Sequence, residues 1–176
     1  RQMCIRDRDK GMKGLILDLR NNPGGLLSEA IGVASQFIPK DNVITYTIDK
    51  YENKNESLSV GGIAQGMPLV VLVDNGSASA SEVVTGALRD YKAATIVGKT
   101  TFGKGIVQQP FKFKNGIGGL KVTVSKYYTP NGENIHKKGI TPDFEVEITE
   151  DINKADYDKS KDEQLNFAIE KIKEKI

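Results

Sequence analysis

Cysteine and histidine are almost missing from this chain, each occurring once, as Cys4 and His136. A single cysteine excludes an internal disulfide framework, and one cysteine with one histidine leaves too few ligands for a zinc site of the usual kind. The lone histidine, set in the basic run His136-Lys137-Lys138, also nearly removes the usual base for an activated serine. No apolar run approaches the ~20 residues needed to span a bilayer as a helix. Charge of neither sign is concentrated, since 25 basic and 23 acidic residues leave a formal net charge of +2. Nucleic acid and anionic membrane both call for a concentrated basic surface, so neither is expected as the main partner.

What is present suffices for one ordinary globular domain: 176 residues, 38% of them hydrophobic, can enclose a real core. The opening octet, Arg1 to Arg8, has no periodicity that joins it to the strand beginning near Lys13. Residues 1–12 are therefore set aside as an unassigned remnant, and the sequence reads as a piece of a longer protein. Lys13 to Leu19 is a short apolar run of the buried-strand kind. The turn Asn21-Asn22-Pro23-Gly24-Gly25 comes next. Leu26, Leu27, Ala30, Ile31, Ala34, Phe37 and Ile38 then recur at helical spacing up to Pro39. Val43 to Ile48 is β-rich, and the polar Asp49 to Ser59 reads as a surface loop or ragged hairpin. Pro68 to Val73 is a second buried strand, a helix runs through Glu82, Val83, Ala87 and Leu88, and Ala94 to Val97 is a third strand.

Beyond Ile106 the texture changes to antiparallel β. Ile106 to Phe113 and Leu120 to Tyr128 flank a glycine-rich turn, which is a hairpin signal. Phe144 to Ile148 is a last strand, residues 151–162 form a charged linker, and residues 163–176 form an amphipathic helix. Strand and helix in alternation, then hairpins, predict an α/β domain with a mixed sheet over residues 13–150.

Three segments carry chemistry. In Asn75-Gly76-Ser77-Ala78-Ser79-Ala80-Ser81-Glu82 a serine cluster lies just past a buried strand and opens a helix. There, unpaired backbone N–H groups and the positive dipole end can stabilise an oxyanion. The plainer reading is a helix cap, with Glu82 closing a capping box onto Ser79. The second segment, Gly98-Lys99-Thr100-Thr101-Phe102-Gly103-Lys104-Gly105, nearly matches a phosphate-binding loop. It fails where Gly105 replaces the magnesium-binding Ser or Thr and where a strand comes next instead of a helix. Lys104 is instead a candidate base. A serine hydroxyl is a poor nucleophile until a base takes its proton. An ordinary lysine titrates near ~10.4, so a lysine base at neutral pH needs a depression of roughly three units, about 4 kcal/mol. Desolvation against walls such as Phe102 and Ile106 has that magnitude. A bulge at Gly103–Gly105 would bring Gln108, four residues on, back to orient the amine without adding charge; the plainer reading is an ordinary polar strand residue. The third segment, Asp18 to Gly25, offers a glycine N–H as a second oxyanion donor beside that of Ala80, with Asp18 and Arg20 as a structural ion pair.

With these segments in this order, the chain resembles the C-terminal processing peptidases, or tail-specific proteases, of serine peptidase family S41. The resemblance rests on Gly14 to Gly25, Gly76 to Glu82, Gly98 to Gln108, Tyr127 to Gly132 and Gly139 to Asp143. It implies that Ser79, 25 residues before Lys104, is the nucleophile, Lys104 the general base and Gln108 its positioning residue. Gly25 and Ala80 would supply the oxyanion-hole amides, with Gly24 as the alternative to Gly25. It further implies a crotonase-like (ClpP/crotonase) α/β core, no metal or cofactor, and an extracytoplasmic setting. Protein substrates would bind as an extended strand, and self-association through terminal helices is among the arrangements it allows. A PDZ domain is expected upstream of residue 13. Two rivals stand beside this reading: a non-catalytic binding member of the fold, and an acyl-CoA-processing enzyme suggested by fold alone.

Overall fold

A computed structural model describes residues 11–114, 116–148, 152–153 and 155–176. The elements in order are β1 (Leu15–Asp18), α1 (Leu27–Ala34), β2 (Val43–Asp49), β3 (Lys54–Leu58), β4 (Leu69–Val73), α2 (Ala80–Asp90), β5 (Thr95–Gly98), β6 (Ile106–Lys112), β7 (Gly119–Tyr128), β8 (Phe144–Glu145) and α3 (Glu163–Lys173). Parallel and antiparallel pairings occupy two sheets. One is a parallel sheet in the order β1-β4-β5-β8; the other is antiparallel, in the order β3-β2-β7-β6.

The parallel sheet is organised by β4, whose five residues are all buried. A strand with helices on both faces has no use for polar alternation, hence the uninterrupted Leu69-Val70-Val71-Leu72-Val73. Successive side chains still point to opposite faces. Leu69, Val71 and Val73 join the core under α1 and α2, while Val70 and Leu72 pack beneath α3 with Ala168 and Ile172. The second sheet is tied to this layer by Ile44 of β2, which shares the core with Val83 of α2.

The C-terminal segment is fastened back onto β1. Arg20, 7% exposed, pairs with Asp18 at 2.7 Å and with Asp162 at 2.8 Å, and Gln164 accepts from it at 3.2 Å. The Asp18–Arg20 ion pair expected from the sequence is therefore present, with Asp162, the N-cap of α3, as a second anion. Burial opposes the charge on Arg20, but its hydrogen bonds to Asp18 and Asp162 outweigh that and raise its pKa.

Several boundaries differ from the sequence reading. Helix α1 stops at Ala34, because the next N–H groups of Gln36 and Phe37 bond three residues back, to Val33 and Ala34. The last strand is only Phe144–Glu145. The polar Lys54–Leu58 is a true edge strand, paired to β2. The glycine-rich turn includes Asn115, which lies outside the described residues.

Candidate active site

All three chemistry-bearing loops leave the C-terminal ends of adjacent parallel strands: residues 19–26 after β1, 74–79 after β4 and 99–105 after β5. Carboxyl ends of parallel strands are where such sheets gather ligands, because the loops there converge. Asp74, 1% exposed, ties the first two loops together. Its Oδ1 accepts from the N–H groups of Asn21 at 2.8 Å, Gly76 at 2.9 Å and Ser77 at 3.0 Å. The Ala78 N–H donates to the Asn22 carbonyl at 3.0 Å, and the Phe102 N–H to the Ser77 carbonyl at 3.0 Å, which draws in the third loop.

The three serines have different fates. Ser77 is fully buried; its hydroxyl donates to the Leu19 carbonyl at 2.7 Å and accepts from the Asp74 N–H at 3.0 Å. Ser81, 3% exposed, donates to the Asn22 carbonyl at 3.0 Å. The half-buried Ser79 hydroxyl donates to no protein acceptor among the described residues. Ser79 also has a left-handed backbone, φ 56° and ψ −114°. For a residue with a Cβ that costs on the order of 1–3 kcal/mol and persists only where the surroundings enforce it.

The enforcing residue is Glu82, fully buried three residues into the segment. The capping box expected from the sequence is present, with the Ser79 N–H donating to Glu82 Oε2 at 2.9 Å. The sequence reading missed the rest. The same oxygen accepts from the Lys104 N–H at 2.8 Å, while Oε1 accepts from the Gly103 N–H at 2.7 Å and the Thr101 hydroxyl at 2.5 Å. One carboxylate thus joins the serine turn to the lysine loop. The donors lie about twenty positions downstream, so no local motif announces them.

The lysine loop is pressed flat on its other side. A Cβ at Gly103 would lie 2.9 Å from the Gly139 N, and one at Gly105 would lie 2.5 Å from the His136 N. The single histidine therefore sits beside this loop, though it makes no hydrogen bond with Ser79 among the described residues. The half-buried Lys104 amine enters no ion pair and no hydrogen bond among the described residues, and the Gln108 amide is likewise unengaged. The structure brings the Ser79 and Lys104 backbones together through Glu82, but it does not contain a formed Ser79–Lys104–Gln108 hydrogen-bond chain. Gln108 lies in β6 at a register irregularity, where the pairing Val107 to Ser125 is succeeded by Gln108 to Thr123. The irregularity falls there and not at Gly103–Gly105.

Geometry separates the two glycines. The Gly24 N–H is taken by Asn22 Oδ1 at 2.9 Å, and Gly24 wedges against the serine turn. A Cβ there would lie 2.5 Å from the Ala78 O and 2.6 Å from the Ala80 N. The N–H groups of Gly25 and Ala80 have no acceptor among the described residues. Both residues border a cavity of about 280 Å³ whose walls are Leu17, Leu19, Leu26, Ala30, Val33 and Val84, with Glu29 also lining it.

Three adjacent loops thus gather a strained serine, an apolar pocket and, among the described residues, two unclaimed amides and a lysine without a counter-ion. The match to known proteins is specific: the model of peptidase family S41 matches residues 2–146, and the chain belongs to that family. It is 48% identical over 139 residues to a carboxyl-terminal-processing protease of Synechocystis sp., covering 79% of this chain and 32% of that protein. A probable CtpA-like serine protease of Staphylococcus haemolyticus is 48% identical over 144 residues, covering 81% of this chain and 29% of that protein. Among solved structures, the photosystem II D1 C-terminal processing protease superposes with a TM-score of 0.77 at 38% identity, over 83% of this chain and 38% of that one. The chain thus spans about a third of the length of these relatives.

Proposed function

We propose that this chain is the catalytic part of a serine endopeptidase of the C-terminal processing type, working with a Ser79–Lys104 dyad and Gln108. The observation that carries this reading is the Glu82 junction, which ties the backbone of Ser79 to that of Lys104; of the three clustered serines, Ser79 alone has a hydroxyl that donates to no protein acceptor among the described residues. Ser79 Oγ attacks the scissile carbonyl carbon while its proton passes to the neutral Lys104 amine. The carbonyl oxygen becomes an oxyanion held by the N–H groups of Gly25 and Ala80. The Lys104 ammonium then returns the proton to the departing amine as the C–N bond breaks, and water repeats the sequence on the acyl-enzyme. Gln108 orients the Lys104 amine without placing a second charge beside it.

The apolar cavity beyond Gly25 and Ala80 receives the side chain preceding the scissile bond, and its aliphatic walls favour an apolar residue. Substrates are protein C-terminal segments bound as an extended strand, in an extracytoplasmic setting. The chain self-associates, if at all, through helices at its ends. The parallel sheet with its helices is assigned to the crotonase-like group. The reading is supported by the fold, the family and the relatives' names. Its test is labelling with a fluorophosphonate and mass spectrometry of the adduct, alongside cleavage of an unfolded protein and of acyl-CoA thioesters. Label on Ser79 and proteolysis are expected. Label on Ser77 or Ser81, or thioester turnover without proteolysis, would sink it.

A further inference from the structure

Among the described residues, Glu82 is the one buried carboxylate that bonds the backbones of both Ser79 and Lys104, and the mechanism above gives it no proton to carry. Its two oxygens accept four hydrogen bonds: from Ser79 N–H, Lys104 N–H, Gly103 N–H and the Thr101 hydroxyl, at 2.5–2.9 Å. Four donors on one carboxylate use its full acceptor capacity. We infer that Glu82 is a positioning residue for the reaction, holding the serine turn and the lysine loop in one fixed register through its carboxylate. The inference rests on the serine–lysine reading.

Three features make this more than a helix cap. A cap needs only the bond from the Ser79 N–H, whereas three of the four donors belong to residues 101–104, on a different strand's loop. The bond to Ser79 N–H also removes that amide from oxyanion duty and leaves the task to Ala80, the next residue. It fixes the left-handed turn at Ser79 at the same time. Thr101 extends the clasp outward, since its hydroxyl accepts from the Ile140 N–H at 2.8 Å while donating to Glu82. The lysine loop is thereby gripped between Glu82 and the Ile135–Ile140 segment, whose Lys137 N–H donates to the Gly103 carbonyl at 2.8 Å. Lys104 enters the site from a backbone held on both sides, although its side chain makes no hydrogen bond or ion pair among the described residues.

Glutamine cannot replace this carboxylate, despite its equal size. Its amide nitrogen is a donor, and it would face backbone N–H groups that are donors too. The two loops must then part. A displacement near 1 Å at a reacting group costs about a hundredfold in rate. The expected result for Glu82→Gln is a kcat on an unfolded protein lower by about that factor, with KM within about threefold of wild type. Thr101→Val, which removes one donor and keeps the three amides, loses less.

Fluorophosphonate titration separates positioning from folding. In Glu82→Gln the rate of labelling at Ser79 falls in step with kcat, while the final labelled fraction and the circular dichroism spectrum match wild type. A Glu82→Gln enzyme whose turnover per fluorophosphonate-titratable site, measured before labelling, equals wild type, with the loss confined to an unfolded fraction, overturns the inference. So does an unchanged kcat. Should Glu82→Gln not fold at all, Thr101→Val decides by the same two measurements, and wild-type turnover per labelled site in that variant overturns the inference as well. A wild-type protein that neither cleaves nor takes label at Ser79 removes the hydrolase reading and this inference with it. Wild-type activity with undiminished variants removes this inference alone.

Discussion

Replacing Gly24 by alanine should disable the site while replacing Gly25 should not, although the two are neighbours in one turn. At Gly24 the added methyl meets the Ala78 O at 2.5 Å, the Ala80 N at 2.6 Å and Ser79 Cβ at 3.1 Å. Carbon and carbonyl oxygen rest at about 3.3–3.6 Å, so the first loop and the serine turn must separate by roughly 0.8 Å. The atoms in the way are backbone, and no side-chain rotation relieves them. Gly24 also has φ +91°, a conformation that costs a residue with a Cβ on the order of 1–3 kcal/mol. At about 2–4 °C per kcal/mol for a chain of this length, the melting point should fall by roughly 2–12 °C. The chemical penalty is larger, because the displaced Ala80 N–H is one of the two proposed oxyanion donors, and losing one such donor costs about a hundred- to thousandfold in kcat. At Gly25 the methyl meets nothing within 4 Å and φ is not left-handed, so activity should stay within about fivefold of wild type. The assay is kcat on an unfolded protein, with thermal melting in parallel. Should Gly24→Ala keep wild-type kcat, or Gly25→Ala prove the more damaging, the assignment of the wedge to Gly24 and the donor to Gly25 is wrong.

Lys104→Ala and Lys104→Arg should be equally inactive, because a guanidinium stays protonated at any usable pH; Gln108→Ala should be less damaged, and His136→Ala should retain wild-type turnover, all read from initial rates on the same substrate. Ser77→Ala should lower the melting temperature through about 1–3 kcal/mol of lost buried hydrogen bonding, yet turn over normally per fluorophosphonate-labelled molecule, the reverse of Ser79→Ala. The Asp162 carboxyl is pushed up by burial, but hydrogen bonds from Arg20, Tyr157 and the Leu165 N–H outweigh this and hold it below its ordinary value. Its contribution to stability is therefore complete above the unfolded value near ~3.9 and is lost as pH falls through the lower folded value. Asp162→Asn should melt below wild type at neutral pH and converge with it in acid; parallel melting curves across that range would refute the pairing's role.

The elements with strong periodicity were legible from the sequence: β4 as an unbroken apolar run, α2 and α3 as amphipathic stretches, β6 and β7 as a hairpin. Lys54–Leu58 was not, because an edge strand with polar side chains gains its pairing from β2 and not from a buried face. The order of the three site loops was also legible, since each lies in one contiguous motif. The choice between Gly24 and Gly25 was left open by the sequence, and what distinguishes them, the Asn22 side chain occupying the Gly24 amide, forms only in the folded turn. Glu82 was half legible. Its capping partner lies three residues away, whereas Thr101, Gly103 and Lys104 reach it only once β4 and β5 lie side by side.

The Arg20 ion pair spans 142 residues of sequence. A ribosome delivers Arg20 early, with only Asp18 as a counter-charge, and delivers Asp162 and Gln164 after every residue of the three site loops has been made. Until then the Arg20 guanidinium lacks two of these three partners at the root of the loop that carries Gly24 and Gly25. The order of synthesis therefore places completion of this loop after that of the other two, so a growing chain carries Ser79 and Lys104 well before it carries the anchor beneath the Gly24–Gly25 turn.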